Sequence, residues 1–181
     1  MLAPVPMLAW LLREAEGMVI GPNILIMPLL NPIHVAEDAV TLDILSGGRY
    51  VLGIGIGYRE AEFRAFNVPL KERVVRLTEG VELMRRLWTE DRVTHNGKIF
   101  TVEDMGIGLK PTRPGGPPIW IAAVVDPAIR RAAEIGDVDD HLEGRRDLEI
   151  PMGKGELVAT PLQEAALREL GAGKRQHAFG D

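Results

Sequence analysis

Residues 36–88, AEDAVTLDILSGGRYVLGIGIGYREAEFRAFNVPLKERVVRLTEGVELMRRLW, decide the fold. The stretch opens inside a helix that starts a few residues earlier. Asn31 can cap that helix, Pro32 suits its first turn, and Ile33, Ala36, Val40 and Ile44 recur at helical spacing. Glu37 and Asp38 lie toward its positive end, and Gly47–Gly48 close it. YVLGIGIG (50–57) reads as a strand running into a glycine-rich turn. A long helix over 71–88 then places Val74, Leu77, Val81, Met84 and Trp88 on one apolar stripe. Helix, strand and helix in this succession imply a parallel sheet with right-handed crossovers.

Working outward, MLAWLLREAE (7–16) reads as a short helix closed by Gly17, and MVIGPNILIM (18–27) as a strand apolar on both faces, as buried parallel strands are. Downstream, DRVTHNGKIFTVEDM (91–105) carries Asn96–Gly97 between β-prone residues, a hairpin signal. KPTRPGGPP (110–118) is an irregular connection, PPIWIAAVV (117–125) a third buried strand, and Asp126–Pro127 opens a helix ending at Gly136. From Asp137 the chain turns charged and glycine-studded, with one amphipathic helix expected over 161–170 and a loose tail. The expected organisation is a domain over 1–136 and a divergent segment over 137–181.

Composition narrows the class. Of 181 residues, 46% are hydrophobic and 26% charged, a balance that suits a packed globular domain and argues against wholesale disorder. Lys and Arg number 21 against 26 Asp and Glu, a net charge of −5, and the arginine doublets each stand beside acidic residues. No basic stripe follows from this, so nucleic-acid binding is not expected. There is no cysteine, which removes disulfides and thiol chemistry. The uncharged run 17–36 contains Pro22, Pro28 and Pro32 and reads as strand and turn rather than a membrane span. The start, MLAPVPMLAWLL, lacks a basic region before Arg13, which reads against a signal peptide. A soluble, cytoplasmic protein is expected. The four histidines, at 34, 95, 141 and 177, have no metal-ligand spacing, so no metal site is expected. Trp10, Trp88 and Trp120 read as core residues.

Gly53, Gly55 and Gly57 follow a strand, but Tyr58 and Glu60 stand where a dinucleotide fingerprint needs its third glycine. Bare backbone amides at a strand end can cradle a phosphate by another route, or the glycines can simply permit close packing. Both readings stay open on the motif alone.

The same residues carry a family resemblance. Ala36-Glu37, Leu42-Asp43, Ser46-x-Gly48-Arg49, the glycine-rich strand end, Glu62-Phe63, Arg73, Glu79 and Leu87-Trp88 occur in order, followed by LKPTRPGGPPIWIAA. Together they resemble the luciferase-like flavin-dependent monooxygenases, a family that includes oxidoreductases using the deazaflavin coenzyme F420. The resemblance covers about residues 4–136. It implies an α/β fold, part of a (β/α)₈ TIM barrel with about three parallel strands and flanking helices, and a cofactor at the C-terminal mouth of the strands.

Carried over residue by residue, Asn23 and Ile24 match a strand bulge that cups the cofactor ring and often holds a non-prolyl cis peptide. Ile56, Gly57 and Tyr58 match the strand end that meets the cofactor tail. Luciferase itself has an arginine where Ile56 stands, so the backbone amides of Gly57 and Tyr58 would have to serve. Val124 and Val125 match a segment where relatives place glycines or an acidic–serine pair; two valines supply no side-chain donor there. Ser46, Gly48 and Arg49 fall on the opposite, N-terminal face, where Arg49 is expected to pair with Asp43 or Glu37. No side chain here matches a catalytic one, so the catalytic residues stay unknown.

The resemblance implies an enzyme, a flavin- or F420-dependent oxidoreductase or monooxygenase acting on a small organic substrate. FMN would support oxygenation with O₂, F420 hydride transfer, and a flavin or F420 reductase would supply the reduced form. The alternative is a truncated, non-catalytic remnant or interaction module of the same fold. A full barrel takes about 250 residues. Three strands alone leave open edges and an exposed apolar face, which leads to the expectation of a homo-oligomer.

Overall fold

The computed structural model describes residues 3–12, 14–15, 17–123 and 125–137. The element order is α1 (Pro4–Leu11), β1 (Leu25–Ile26), α2 (Pro32–Ser46), β2 (Leu52–Gly55), α3 (Glu60–Ala65), α4 (Arg73–Thr89), β3 (Val93–Asn96), β4 (Thr101–Met105), β5 (Ile119–Ala122) and α5 (Asp126–Ile135). Single 3-10 turns at Met27–Leu29 and Leu70–Glu72 precede α2 and α4. β1, β2 and β5 form a three-stranded parallel sheet in that order, and β3 and β4 a separate antiparallel hairpin. The chain divides into two units between Ile119 and Trp120. The segment over 138–181, including the helix expected over 161–170, lies outside the described residues.

The first strand is shorter than its apolar sequence suggests. Ile20 bridges to Tyr50, and Leu25 pairs with Ile54, so five steps along the first chain match four along its neighbour. One extra residue is accommodated between them, which is a bulge. The bulged segment presses on β2: a Cβ on Gly53 would lie 2.0 Å from the Pro22 carbonyl oxygen. Only a residue without a side chain fits there.

α2 forms as its caps dictate. Asn31 Oδ1 accepts from Ile33 N at 2.9 Å, Pro32 takes the first position, and Gly47 terminates the helix at φ 65°. Its buried face is Val35, Ala36, Ala39, Val40, Leu42, Asp43 and Ser46, so the expected stripe through Ile33 and Ile44 is rotated, and Ile44 is exposed. The cause is that two polar residues belong to the buried face. Ser46 Oγ donates to the Asp43 carbonyl and accepts from Arg49 N, and Asp43 Oδ2 accepts from Thr112 N at 2.7 Å. A pattern scored on apolar residues alone misses a face held by hydrogen bonds.

Other expectations need correction. Arg49 pairs with neither Asp43 nor Glu37; its guanidinium donates to the Ala15 and Met18 carbonyls. α1 begins at Pro4, three residues before the expected start, because prolines are tolerated in a first turn, where amides need no helical partner. Trp10 is exposed, not core: α1 buries Leu8, and its short length leaves room for only one inward row. Val74 is half out of the α4 stripe, while Leu77, Val81, Met84 and Trp88 are buried as expected, with Trp88 Nε1 donating to the Ala36 carbonyl at 3.2 Å. In the hairpin, Asn96 pairs with Thr101, so the chain reverses over 97–100 rather than at Asn96–Gly97.

Two outcomes follow. Gly53→Ala forces the Pro22 carbonyl away and lowers the unfolding free energy in urea by about 1–3 kcal/mol, while Gly108→Ala, which meets nothing within 4 Å, stays near neutral. Asp43 is fully buried, and its Oδ1 has no hydrogen-bond partner among the described residues. Asp43→Ala strands the Thr112 amide and costs about 1–3 kcal/mol in urea unfolding, whereas Asp43→Asn keeps an acceptor and costs less.

Candidate functional site

The candidate site runs along the paired strands β1 and β2, from the bulge that enters β1 to the turn that leaves β2. The bulge between Ile20 and Leu25 contains a cis peptide bond joining Asn23 and Ile24, at the position the resemblance implies. The Asn23 side chain is exposed, Ile24 is half-buried, and Pro22 before them is buried. Ile24 Cγ2 would stand 3.8 Å from a Cβ on Gly53, in ordinary contact. The bulge therefore rests on β2 through backbone and one methyl group, leaving the asparagine amide free of the core.

At the far end of β2 the chain leaves the sheet through Ile56, Gly57 and Tyr58. Gly57 has φ 70°, and a Cβ there would lie 2.6 Å from Ile26 Cγ2 and 3.0 Å from the Phe63 ring. Position, conformation and crowding all call for glycine. The half-buried Ile56 precedes it; the tyrosine after it is 68% exposed, with the Arg59 guanidinium 5.7 Å from its ring centre. Arg59 Nη1 also reaches Glu62 at 3.4 Å, and Glu60 pairs with Arg64 at 3.0 Å, so the two glutamates serve α3 as exposed ion pairs.

The structure thus places Asn23 and Ile24 just before β1, level with the start of β2, and Ile56, Gly57 and Tyr58 just past the end of β2. Sequence reasoning named Phe63 only as part of a motif; it is buried and forms the wall behind Gly57, as Ile26 does from β1. The pairing of a strand-end glycine with an aromatic residue six positions on was the available signal. In the second unit, the Val125 carbonyl accepts from Ala128 N and Ile129 N at the start of α5, and its side chain is exposed. Val124 lies outside the described residues. Among the described residues, no group of three or more His, Cys, Asp or Glu could hold a metal ion, and no helix is long and apolar enough to cross a membrane.

This geometry is suited to binding rather than to proton chemistry. It offers bare backbone at a crowded strand end, one exposed amide side chain and one exposed phenol. The Cβ direction at Gly57 is filled by Ile26 and Phe63, so packing requires the glycine, and what the strand end offers a ligand is the main chain of Gly57 and Tyr58 as it turns out of the sheet.

Comparison with known proteins bears on the family and the fold. The F420-dependent glucose-6-phosphate dehydrogenase of Intrasporangium calvum is 42% identical over 112 residues, covering 59% of this chain and 33% of that protein. The crystal structure of the monooxygenase RslO1 from Streptomyces bottropensis superposes with a TM-score of 0.63 at 27% identity, over 66% of this chain and 36% of that one. An F420-dependent secondary alcohol dehydrogenase, solved with an F420–acetone adduct, gives a TM-score of 0.67 at 23% identity, over 76% and 42% of the two chains. The shared fold is that of the barrel. The matched region spans about a third to two-fifths of the length of these proteins. A family model for luciferase-like monooxygenases matches residues 2–138, a range that includes the bulged strand, the Ser46–Arg49 turn and the glycine-rich strand end. The chain belongs to the luciferase-like monooxygenase family.

Proposed function

We propose that this chain binds deazaflavin F420 at the β1–β2 strand ends and serves an oxidoreductase acting on a small organic substrate. The observation that carries the reading is the strand end at Ile56–Tyr58, where Gly57, at φ 70° and packed against Ile26 and Phe63, turns bare main chain out of the sheet. The 42% identity to an F420-dependent dehydrogenase supports F420 over FMN. Bound F420 would supply two-electron hydride chemistry; the protein supplies placement and exclusion of water.

The chain's own residues divide that work. Asn23 and Ile24 present the bulge as a shelf for the ring, and the amides of Gly57 and Tyr58 meet the negative tail, since Ile56 brings no charge to it. Val124 and Val125 bring none either, so anion binding rests on main chain. The reduced cofactor comes from a separate reductase. Among the described residues β1 and β5 each have one neighbour in the sheet, an arrangement that supports self-association through an open edge.

The likeness to a monooxygenase supports FMN and oxygenation as a second reading. A thermal melt of the whole chain alone, with F420 and with FMN separates them. Ligand at 100 times its dissociation constant adds about 2.7 kcal/mol, so F420 raises the midpoint by several degrees and FMN does not. A shift with FMN alone selects the second reading, and no shift with either selects a non-catalytic module. Gly57→Ala abolishes the F420 shift, while Tyr58→Phe preserves it, because the amide and not the phenol does the holding. Light scattering after size exclusion gives a dimer or larger; a monomer refutes the self-association.

A further inference from the structure

The most densely hydrogen-bonded side chain described lies away from the candidate site. Glu79, midway along α4 and 8% exposed, places its carboxylate over the reversal of the β3–β4 hairpin. Oε1 accepts from Phe100 N at 2.7 Å and from Ile99 N at 3.2 Å, and Oε2 accepts from Lys98 N and Ile99 N at 3.1 Å each. His95 Nε2, on β3 and equally buried, is 3.2 Å from Oε1. A Cβ on Gly97 would stand 1.9 Å from Oε1, so the glycine is the space in which the carboxylate sits. The hairpin therefore closes on a group from another element, and three consecutive turn amides depend on one charge.

We propose that Glu79 is an acid-release latch, whose protonation frees the hairpin reversal from α4 while the three-stranded sheet stays closed. The mechanism is donor against donor. Both oxygens accept amide hydrogens and Ile99 N is shared between them, so a proton on either oxygen confronts at least two N–H groups. A protonated carboxyl keeps too few lone pairs in the right place for all of its present donors. Buried amides that lose their acceptor favour water, and the turn can reach it by swinging outward.

The sign follows from the same contacts. Burial alone raises the Glu79 pKa, but hydrogen bonds from Phe100 N, then His95, then Ile99 N outweigh it and hold the carboxyl below its ordinary value of 4.5. The latch is at full strength above that value and weakens as pH falls toward the folded-state pKa. His95 cannot drive the release, since its protonation would give the carboxylate a charge-assisted bond and tighten the pair. Other charged residues on these elements are Lys98 in the hairpin turn, Arg76 and Glu82 one turn to either side of Glu79 on α4, and Lys71 and Glu72 in the Leu70–Glu72 turn. Arg76 pairs with Glu72 at 3.0 Å and lies 5.9 Å from the Phe100 ring centre. Of the other elements on α4, the Met27–Leu29 turn has no ionisable side chain, and α2 turns His34, Glu37 and Asp38 to its exposed side. Asp43 is engaged with Thr112.

Hydrogen exchange on the full chain across pH 3 to 7, corrected for intrinsic rates, tests this (about 1.4 kcal/mol per pH unit at most). Protection of the Lys98, Ile99 and Phe100 amides should fall up to about tenfold per unit below pH 4.5, while the Leu52 amide, bonded to the Pro118 carbonyl at 2.8 Å, keeps its protection. E79Q should show low turn protection without a pH step, and H95Q should keep the step. Turn protection unchanged at low pH, turn and Leu52 amides lost together, or a step that disappears in H95Q would each overturn the proposal. Should E79Q fail to fold, the wild-type series and H95Q decide it.

Discussion

The approach of the Pro22 carbonyl to the α-carbon of Gly53 governs the rest of the structure. It brings a bulged chain against β2 more closely than any side chain would allow. With the bulge fixed, β1 re-enters the sheet one residue out of its earlier step, and Ile26 pairs with Gly55 and sets its side chain against Gly57. The Met27–Leu29 turn then sets Met27 against Gly80 of α4, where a Cβ would lie 2.8 Å from its terminal methyl. Bulge, strand end and long helix are thus stacked through glycines, and each closeness presupposes the one before it.

Hydrogen bonding supplies what apolar packing leaves undone. α2 is held at its end by Ser46, by Asp43 and by the Arg49 guanidinium, which satisfies carbonyls after α1. Lys110 does the same for α4, donating to the Leu87 and Glu90 carbonyls. Cations placed on helix-end carbonyls satisfy groups that the helix itself cannot. The long connection over 110–118 is therefore tied at both ends although it has no regular structure.

Much of this was legible in the sequence. The caps of α2, the stripe of α4 from Leu77 to Trp88, the strand at Leu52–Gly55 and the helix opening at Asp126 all follow from local rules, and the resemblance led to Asn23–Ile24 as a bulge. What escaped has a common cause. The side of α2 that faces inward, the partners of Arg49 and the reversal over 97–100 depend on polar contacts between residues distant in sequence, such as Asp43 with Thr112 and Glu79 with Phe100. Periodicity counts apolar residues along one element and is blind to an acceptor arriving from another. Trp10 escaped for a different reason: a large aromatic is usually buried, but an eight-residue helix has little inward surface to offer it.

The hairpin also bears on how this fold can be edited. Its reversal carries no Pro, Asn or Asp at Lys98, Ile99 or Phe100, residues that would shape a turn from within. The instruction to turn is written instead on α4, about twenty positions upstream. Segments 91–105 moved to another scaffold would take their strands and leave that instruction behind. Conversely, a replacement turn must keep its main-chain amides facing the glutamate, leave the space at Gly97 clear and fit the half-buried positions of Ile99 and Phe100. Loop grafting at this position is therefore a question first of backbone and one distant carboxylate, and of turn side chains only second.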